Sequence, residues 1–356
     1  INVSITEDSL DTVVFNWNGS NYTFYNDSLR LYLNMNNVSV LGDNLTHVVD
    51  VSNYTHRNVT CYEWAGLTGP SSIANCNYTQ GRYDLGIKFN GINNTLNISD
   101  SGKVDLASSF SVGAWINVNS LPGVNEFDAV VGKGNSSSLI LYNYLLGLEN
   151  RGGQISFVFG ASDHILNYTI TPSLNRWYHL FGTFDDSANL STLYLDGVNV
   201  SQTGMSFTPP VNDHPILIGS SIFEFTGADP SLNFFNGTID EVMIWDKSLN
   251  ETEMQQIYFS NLYKYKNDSW ALYINQSKNA SVTSIDIGQY TYFAALKDIW
   301  DEWNRTEIRT ALMKRINVSI NAPLNGTTIN DSFALLNWTV YSAKNNSEVY
   351  VWASND

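Results

Sequence analysis

The sequence is short of cysteine, histidine, basic residues and long apolar runs, and each shortage excludes a class of protein. A zinc site needs four ligands, which a lone pair of cysteines at this spacing does not supply, and the five histidines have neither metal-binding nor catalytic-triad spacing. They are His47, His56, His164, His179 and His214. Lysine and arginine number only 18 against 34 acidic residues, and the resulting net charge of −16 argues against nucleic acid as a partner. No run of about 18 apolar residues occurs, so we expect no direct membrane insertion in this segment.

The two cysteines, Cys61 and Cys76, enclose a loop that contains Gly, Pro and Ser. A disulfide bond that closes a loop of about 15 residues stabilises a fold by about 3 kcal/mol and forms in oxidising compartments. We therefore predict a Cys61–Cys76 disulfide, and the alternative is a pair of free thiols.

The sequence is rich in Asn-x-Ser/Thr triplets, the acceptor pattern for N-glycosylation. About 44 asparagines and about 63 serines plus threonines would give about 8 triplets by chance, yet about 26 occur. Turn chemistry in an Asn-rich chain is the alternative explanation, but the expected number already includes the composition. The excess predicts an extracellular, cell-surface glycoprotein. The predicted glycosylation sites are Asn18, Asn21, Asn26, Asn37, Asn44, Asn53, Asn58, Asn77, Asn97, Asn135, Asn167, Asn199, Asn236, Asn275, Asn304, Asn325 and Asn337.

Short segments rich in β-branched and aromatic residues, separated by Gly, Asn, Asp or Pro, fill most of the chain. Stretches such as TVVFNW, FSVGAWINV and STLYLDGVNVS predict an all-β fold of antiparallel sandwiches. The Asp196-Gly197 pair predicts a hairpin turn. One helix is predicted in SLNETEMQQIY, with Ser248 and Glu251 as its capping box and Met254 and Ile257 on its buried side.

Residues 87–258 contain six blocks in a characteristic order. They are IKFNGINNTLNI, SFSVGAWINV, RWYHLFGTFD, LSTLYLDGVNV, PILIGS and FFNGTIDEVMIWDKSLNETEMQQIY. Together they resemble the laminin-G-like branch of the concanavalin A-like lectin/glucanase superfamily. The resemblance implies a jelly-roll β-sandwich in which RWYHLFGTF is a core strand, and hence a structural role for His179. The last of these blocks also resembles the closing strand of pentraxins.

The segment GQYTYFAALKDIWDEWNRTEIRTALMKRI, residues 288–316, is similar to the last two strands of immunoglobulin-like repeats in surface proteins of archaea, and residues 320–356 are similar to the opening of the next repeat. For this reason we read residues 294–316 as strands, although their apolar spacing also fits a helix. The predicted organisation is residues 1–24 as N-terminal strands that end or follow a preceding module, 25–260 as the jelly roll, 261–316 as immunoglobulin-like strands and 317–356 as the start of a further immunoglobulin-like module. The start at Ile1 rather than Met fits a piece of a longer protein. We expect strands at both ends to be completed by neighbouring modules or copies of the same protein.

The resemblance also indicates which chemistry to look for. Glucanases of the superfamily carry Glu-x-Asp-x-x-Glu, whereas EFDAVV has Glu126 and Asp128 but Val131 at the third position, so we predict no catalysis. A calcium ion at Asn90, Asn93 and Asp240 is the candidate cofactor, and turn hydrogen bonds are the alternative. Sugar stacking on Tyr142, Tyr144, Phe223 or Phe225 is set against the simpler reading that these aromatic residues lie in the core.

These observations favour a non-catalytic structural or adhesive segment of a heavily N-glycosylated surface protein, such as an S-layer-like coat, stalk or filament. The alternative is a carbohydrate-binding lectin module, with or without calcium, that has surface glycans as partners. A hydrolase is a distant third.

Overall fold

The computed structural model describes residues 1–5, 9–52, 58–64, 70–135, 141–161, 164–204, 208–223, 231–275, 285–313, 317–322 and 337–341. The strands are β1 (Asn2–Ser4), β2 (Leu10–Trp17), β3 (Ser20–Tyr25), β4 (Leu29–Leu33), β5 (His47–Val49), β6 (Asn58–Trp64), β7 (Pro70–Ile73), β8 (Tyr78–Gln80), β9 (Leu85–Asn90), β10 (Asn94–Ile98), β11 (Phe110–Val118), β12 (Glu126–Asn135), β13 (Leu141–Arg151), β14 (Gln154–Ala161), β15 (His164–Thr169), β16 (Trp177–Asp185), β17 (Leu190–Leu195), β18 (Val198–Gly204), β19 (Ile216–Ile218), β20 (Ile222–Phe223), β21 (Ser231–Leu232), β22 (Asn236–Trp245), β23 (Ser260–Lys266), β24 (Ser269–Ile274), β25 (Gly288–Asp298), β26 (Trp303–Arg305), β27 (Arg309–Met313), β28 (Asn317–Ala322) and β29 (Asn337–Tyr341). A 3-10 turn spans Ser39–Leu41, and the helix α1 spans Glu251–Tyr258.

Two large antiparallel sheets form the sandwich that the sequence predicts. One sheet has the order β15-β14-β13-β12-β19-β10-β6-β5, and β7, β20 and β21 pair beside this path. The other has the order β18-β17-β16-β11-β22-β9-β8, and β4 pairs with β22. Their facing side chains, among them Phe110, Ile116, Phe157, Leu180 and Ile244, form the largest buried core. The all-β jelly-roll prediction is therefore confirmed.

The outer face of the β18-to-β8 sheet carries a second buried core. Met243 and Trp245 of β22 pack there with Met254 of α1, Trp270 of β24 and Phe15 of β2. The predicted helix is present and buries Met254 and Ile257, as expected. Its capping box, however, consists of Asn250 and Glu253 rather than Ser248 and Glu251, because the helix begins two residues later than predicted.

The N-terminal strands find their partners inside this chain. β1 pairs with β24, and β2 pairs with β25 in a five-stranded sheet that also contains β3, β26 and β27. β1 and β3 lie at the edges of their sheets, so the addition of strands from other modules or copies at these edges stays a prediction. Residues 10–25 and 288–313, which the sequence analysis assigned to separate modules, share one sheet. The strands predicted within 294–316 are present as β25, β26 and β27.

At the C-terminal end, β28 pairs with β29 as a two-stranded sheet. Residues 323–336 and 342–356 lie outside the described residues, so completion of this end by a neighbour stays a prediction. Among the described residues, no helix is long and apolar enough to cross a membrane.

A buried lysine joins three segments at one rim of the jelly roll. The Nζ of Lys133 is fully buried and lies 2.6 Å from Asp100 Oδ1 and 3.0 Å from Asp105 Oδ1. It also donates to the backbone carbonyls of Asn212 at 2.9 Å and His214 at 2.7 Å. A buried ammonium requires such compensation. Lys133 therefore holds the segment after β10 and the segment before β19 against β12.

Candidate functional site

The three residues predicted to hold calcium do not lie at one place. Asn90 Oδ1 accepts the backbone N–H groups of Ile92 and Asn93 at 2.9 and 3.0 Å, and Asn90 Nδ2 donates to Asn93 Oδ1 at 2.7 Å. Asn90 pairs with Asn236, and Asp240 lies four residues farther along β22, about 13 Å at 3.3 Å per residue. One calcium ion, with ligands at about 2.4 Å, cannot contact all three. The asparagines make the turn hydrogen bonds of the alternative reading, and calcium binding at this rim stays a prediction.

Asp240 instead anchors the short loop between β8 and β9. Its Oδ2 accepts the backbone N–H groups of Arg82 at 2.9 Å and Tyr83 at 3.0 Å, and its side chain is fully buried. The loop is tight at Gly81, where an added Cβ would lie 2.3 Å from the Leu85 carbonyl oxygen and 2.7 Å from Asp240 Oδ2. A glycine is therefore required at this position, and the two residues after it are held in place.

Glu241, next to Asp240, is a second buried carboxylate. Its backbone is left-handed at φ 53°, where the pairing of β22 with β11 shifts register. Its Oε2 lies 2.6 Å from Tyr32 Oη and 3.1 Å from Asn34 Nδ2. Burial raises the pKa of Glu241 to about 8, against the smaller opposing effect of the Tyr32 hydrogen bond. Burial, followed by the charge of Glu241, raises the pKa of Asp240 as well. Strained, buried carboxylates of this kind often mark functional sites.

The loop that Asp240 anchors presents Arg82 and Tyr83 beside three further aromatic residues. The guanidinium carbon of Arg82 lies 4.5 Å from the ring centroid of Trp115 and 5.3 Å from that of Tyr83. The Tyr83 ring meets Trp115 edge-on at 6.1 Å and Tyr273 at 5.9 Å. Tyr258 stacks on Trp115 at 5.5 Å. We call these five residues the Arg82 surface.

The Arg82 surface is partly open to solvent. Arg82 is exposed, Tyr273 is 54% exposed, and Tyr83 and Tyr258 are half-buried, whereas Trp115 is 4% exposed. Burial raises the pKa values of Tyr83 and Tyr258, so both remain neutral phenols. Aromatic faces with a few polar groups beside them are what saccharide binding requires.

A neighbouring ion pair frames the same area. Asp196 Oδ2 accepts from Arg176 Nη2 at 2.6 Å, while Asp196 Oδ1 accepts the backbone N–H of His179 at 3.0 Å. The fully buried His179 ring lies 4.9 Å from Trp115 and 5.6 Å from Tyr258. Burial, followed by the charge of Arg82, lowers the pKa of His179 to about 3, so the ring stays neutral. His179 therefore supports the Arg82 surface from beneath.

The aromatic residues suggested by the sequence for sugar stacking do not form this site. Tyr142 and Tyr144 are 2% and 0% exposed and belong to the cores, as the simpler reading held. The Phe223 side chain and all of Phe225 lie outside the described residues. Arg82 and Tyr83 were not among the predicted site residues, because the candidates for sugar stacking were aromatic residues on strands. The sequence feature that indicates them is an Arg-Tyr pair after a glycine in a short loop.

The glucanase-like segment has one buried acid. Asp128 is 8% exposed, and burial, followed by the charge of Glu126, raises its pKa to about 7. Glu126 is exposed and accepts the Gly123 N–H at 2.9 Å. Val131, at the position of the second glucanase glutamate, is fully buried in the large core.

Most predicted glycosylation sites with described side chains are accessible. The exposed ones are Asn18, Asn21, Asn37, Asn44, Asn77, Asn167, Asn199 and Asn304, and the half-buried ones are Asn26, Asn97, Asn236 and Asn275. The side chains of Asn58, Asn135 and Asn337, and all of Asn53 and Asn325, lie outside the described residues. The structure joins Cys61 of β6 to Cys76 in a disulfide bond with a Cα–Cα distance of 5.4 Å.

Residues 90–255 match the family model described as the concanavalin A-like lectin/glucanases superfamily. The matched segment makes up 166 of the 356 residues. Within the Arg82 surface, Trp115 lies in the matched segment, Arg82 and Tyr83 precede it, and Tyr258 and Tyr273 follow it. No curated protein matches the sequence.

Several solved structures are similar to this chain at low identity. Domain 4 of an extracellular arabinanase from Geobacillus stearothermophilus, solved with arabinotriose, is 17% identical with a TM-score of 0.45, over 64% of this chain and 96% of that one. The binding domain of Paraclostridial mosquitocidal protein 1 is 14% identical with a TM-score of 0.45, over 88% of this chain and 75% of that one. A heptameric pentraxin from Limulus polyphemus is 11% identical with a TM-score of 0.37, over 64% and 94%. The likeness of residues 90–255 to the superfamily rests on the family model.

Proposed function

We propose that this chain is a non-catalytic, adhesive segment of a heavily N-glycosylated extracellular protein that forms a surface coat, stalk or filament. The placement of the glycosylation triplets supports this most. Twelve of the predicted glycosylation sites have described side chains, and none of these twelve asparagines is buried. An N-linked glycan needs an accessible asparagine on a secreted protein. The resemblance of the flanks to immunoglobulin-like repeats of archaeal surface proteins supports the same role.

Glycopeptide mass spectrometry on protein from its natural source tests this proposal. We expect glycans on most of the eight exposed asparagines and lower occupancy at half-buried Asn97, which lies within β10 between two paired strands. Unmodified asparagine at nearly all exposed sites would overturn the proposal. The proposal that the chain is non-catalytic is based on Val131, which stands where glucanases have their second glutamate. Retaining hydrolysis needs two carboxylates about 5 Å apart. Release of reducing sugar from β-glucans that disappears in Asp128→Asn would refute it.

The second candidate function is that of a lectin module, and the Arg82 surface is the observation that favours it. A half-exposed group of Tyr83, Tyr258 and Tyr273 around a rigid loop offers faces on which a sugar ring stacks. Isothermal titration with a panel of oligosaccharides, comparing the natural chain with Tyr273→Ala, tests this function. Tyr273 is suitable because it is 54% exposed and contributes little to the core. Loss of binding in Tyr273→Ala supports the lectin, and equal binding by both proteins contradicts this site.

A further inference from the structure

We infer that the Arg82 surface recognises an acidic saccharide, whose carboxylate or sulfate group binds the Arg82 guanidinium while a sugar ring stacks on Tyr83 and Tyr273. This inference rests on the proposed lectin function and names its ligand class.

Arg82 forms no ion pair with any carboxylate that the structure describes, although its charge acts on nearby Asp196, where burial raises the pKa of the carboxyl and the Arg82 charge opposes that rise. Arg30, Arg151, Arg176 and Arg309 each form an ion pair with a carboxylate. Within the described part of the chain, the Arg82 guanidinium makes neither an ion pair nor a hydrogen bond. Arg305 is a second described arginine of this kind, because it is exposed, forms no ion pair with a described carboxylate and lies 5.3 Å from the Phe293 ring centroid.

The Arg82 guanidinium has N–H donors that no described residue uses. Its central carbon lies over the Trp115 ring, 4.5 Å from the ring centroid, and none of its N–H groups donates a hydrogen bond to a described residue. A guanidinium edge matches the two oxygen atoms of a carboxylate or sulfate in a bidentate arrangement. A neutral sugar hydroxyl group presents only one oxygen atom to this edge. The guanidinium therefore favours an anion over a hydroxyl group.

Hydrogen bonds hold the loop that carries Arg82 and Tyr83 in one conformation before any ligand binds. Asp240 holds the N–H groups of both Arg82 and Tyr83, and Asn36 Oδ1 accepts the Leu85 N–H at 2.9 Å at the other end of the loop. The buried Asp240 side chain thereby fixes the backbone of the two residues that would contact the ligand. Little conformational entropy then remains to be lost on binding, which raises affinity without additional contacts.

Nearby negative charges are largely compensated. Asp196 is paired with Arg176 and with the His179 N–H, and the raised pKa values of Asp240 and Glu241 favour their neutral forms. Asp84, at the end of the loop, is exposed, and water and salt screen its charge. The net charge of −16 is distributed over the whole chain, and its effect falls off within about 8 Å at physiological salt.

Isothermal titration and a glycan array with matched probes test the inference. The probes are trigalacturonate and its methyl ester, sialyllactose and lactose, and a sulfated heparin tetrasaccharide and its desulfated form. We expect the charged member of at least one pair to bind about tenfold or more tightly than its neutral counterpart, and increasing salt to weaken that binding. The pair in which the charged member binds more tightly shows whether the site prefers a carboxylate or a sulfate group.

Variants separate the contribution of Arg82 from general charge. Arg82→Gln should weaken binding of the charged probe by about tenfold or more, and Arg82→Lys should recover part of it because lysine lacks the planar fork. The matched control is Arg305→Gln, because Arg305 is an exposed arginine that also lies over an aromatic ring, that of Phe293 at 5.3 Å, and this variant should bind as the natural chain does. Each variant's thermal melting is recorded to verify folding.

Three outcomes would overturn the inference. Equal affinity of Arg82→Gln and the natural chain for the charged probe would show that Arg82 is not the determinant. Equal binding of charged and neutral probes, lost in Tyr273→Ala, would leave the lectin function standing and reject the acidic ligand. Failure of every probe to bind would reject both the lectin function and this inference.

Discussion

Replacement of Glu241 by glutamine should make the chain more stable above neutrality and less sensitive to pH between 4.5 and about 8. Glu241 is 1% exposed, and its Oε2 lies 2.6 Å from Tyr32 Oη, which also lies 2.5 Å from the Leu262 carbonyl oxygen. The Tyr32 hydroxyl has one proton and therefore cannot donate to both acceptors at once. A protonated Glu241 resolves this conflict because it donates to Tyr32, which then donates to Leu262.

The magnitude follows from the raised pKa. Burial moves the pKa of Glu241 from 4.5 to about 8, so the folded state binds this proton more tightly than the unfolded state does. The contribution to stability is therefore fully favourable below pH 4.5, falls as pH rises through about 8 and is constant beyond it. At 1.36 kcal/mol per pKa unit, the loss across this window is at most about 5 kcal/mol. Asp240, whose pKa is also raised, contributes in the same direction.

The measurement is urea unfolding of the natural chain and Glu241→Gln at intervals between pH 5 and pH 9. We expect the free energy of unfolding of the natural chain to fall with pH and that of Glu241→Gln to fall several kcal/mol less, because glutamine carries no titrating proton. Glu302→Gln, an exposed position, is the control and should follow the natural chain. Parallel curves for the natural chain and Glu241→Gln would refute the reasoning.

Three further predictions concern other parts of the chain. Lys133→Met should destabilise the jelly roll by about 3–5 kcal/mol in urea unfolding because it leaves Asp100 and Asp105 without their cation. Added calcium should restore part of that loss, since the vacated position is lined by oxygen atoms, and unchanged stability of Lys133→Met would contradict the role given to the ion pairs. Reduction of the Cys61–Cys76 disulfide should cost about 3 kcal/mol, and non-reducing peptide mapping should find the linked peptides, whereas alkylatable thiols in the untreated protein would count against the bond. Gly81→Ala should speed amide hydrogen exchange at Arg82 and Tyr83 because its Cβ would meet the Leu85 carbonyl oxygen at 2.3 Å, and unchanged exchange would show that the loop adapts.

The sequence alone determined the features that depend on local pattern. Alternating apolar residues and the Asp196-Gly197 pair led to the correct fold class and to the β17–β18 hairpin, where both turn residues have positive φ. The helix was located from its buried Met254 and Ile257, because apolar spacing is a property of the chain itself. Its capping box was misplaced by two residues because Ser and Asn are both acceptable N-caps and only the packing of the helix selects between them.

Only the tertiary structure decided which distant residues meet. The pairing of β2 with β25 joins residues more than 270 positions apart, and no local signal encodes such a partner. The left-handed Glu241 has no sequence signature, because the register shift between β22 and β11 imposes that conformation. Arg82, Trp115, Tyr258 and Tyr273 come from a loop, a strand, a helix and another strand, and the candidate site exists because the outer face of one sheet brings them together. Composition and periodicity specify the elements, whereas the contacts among elements specify the site.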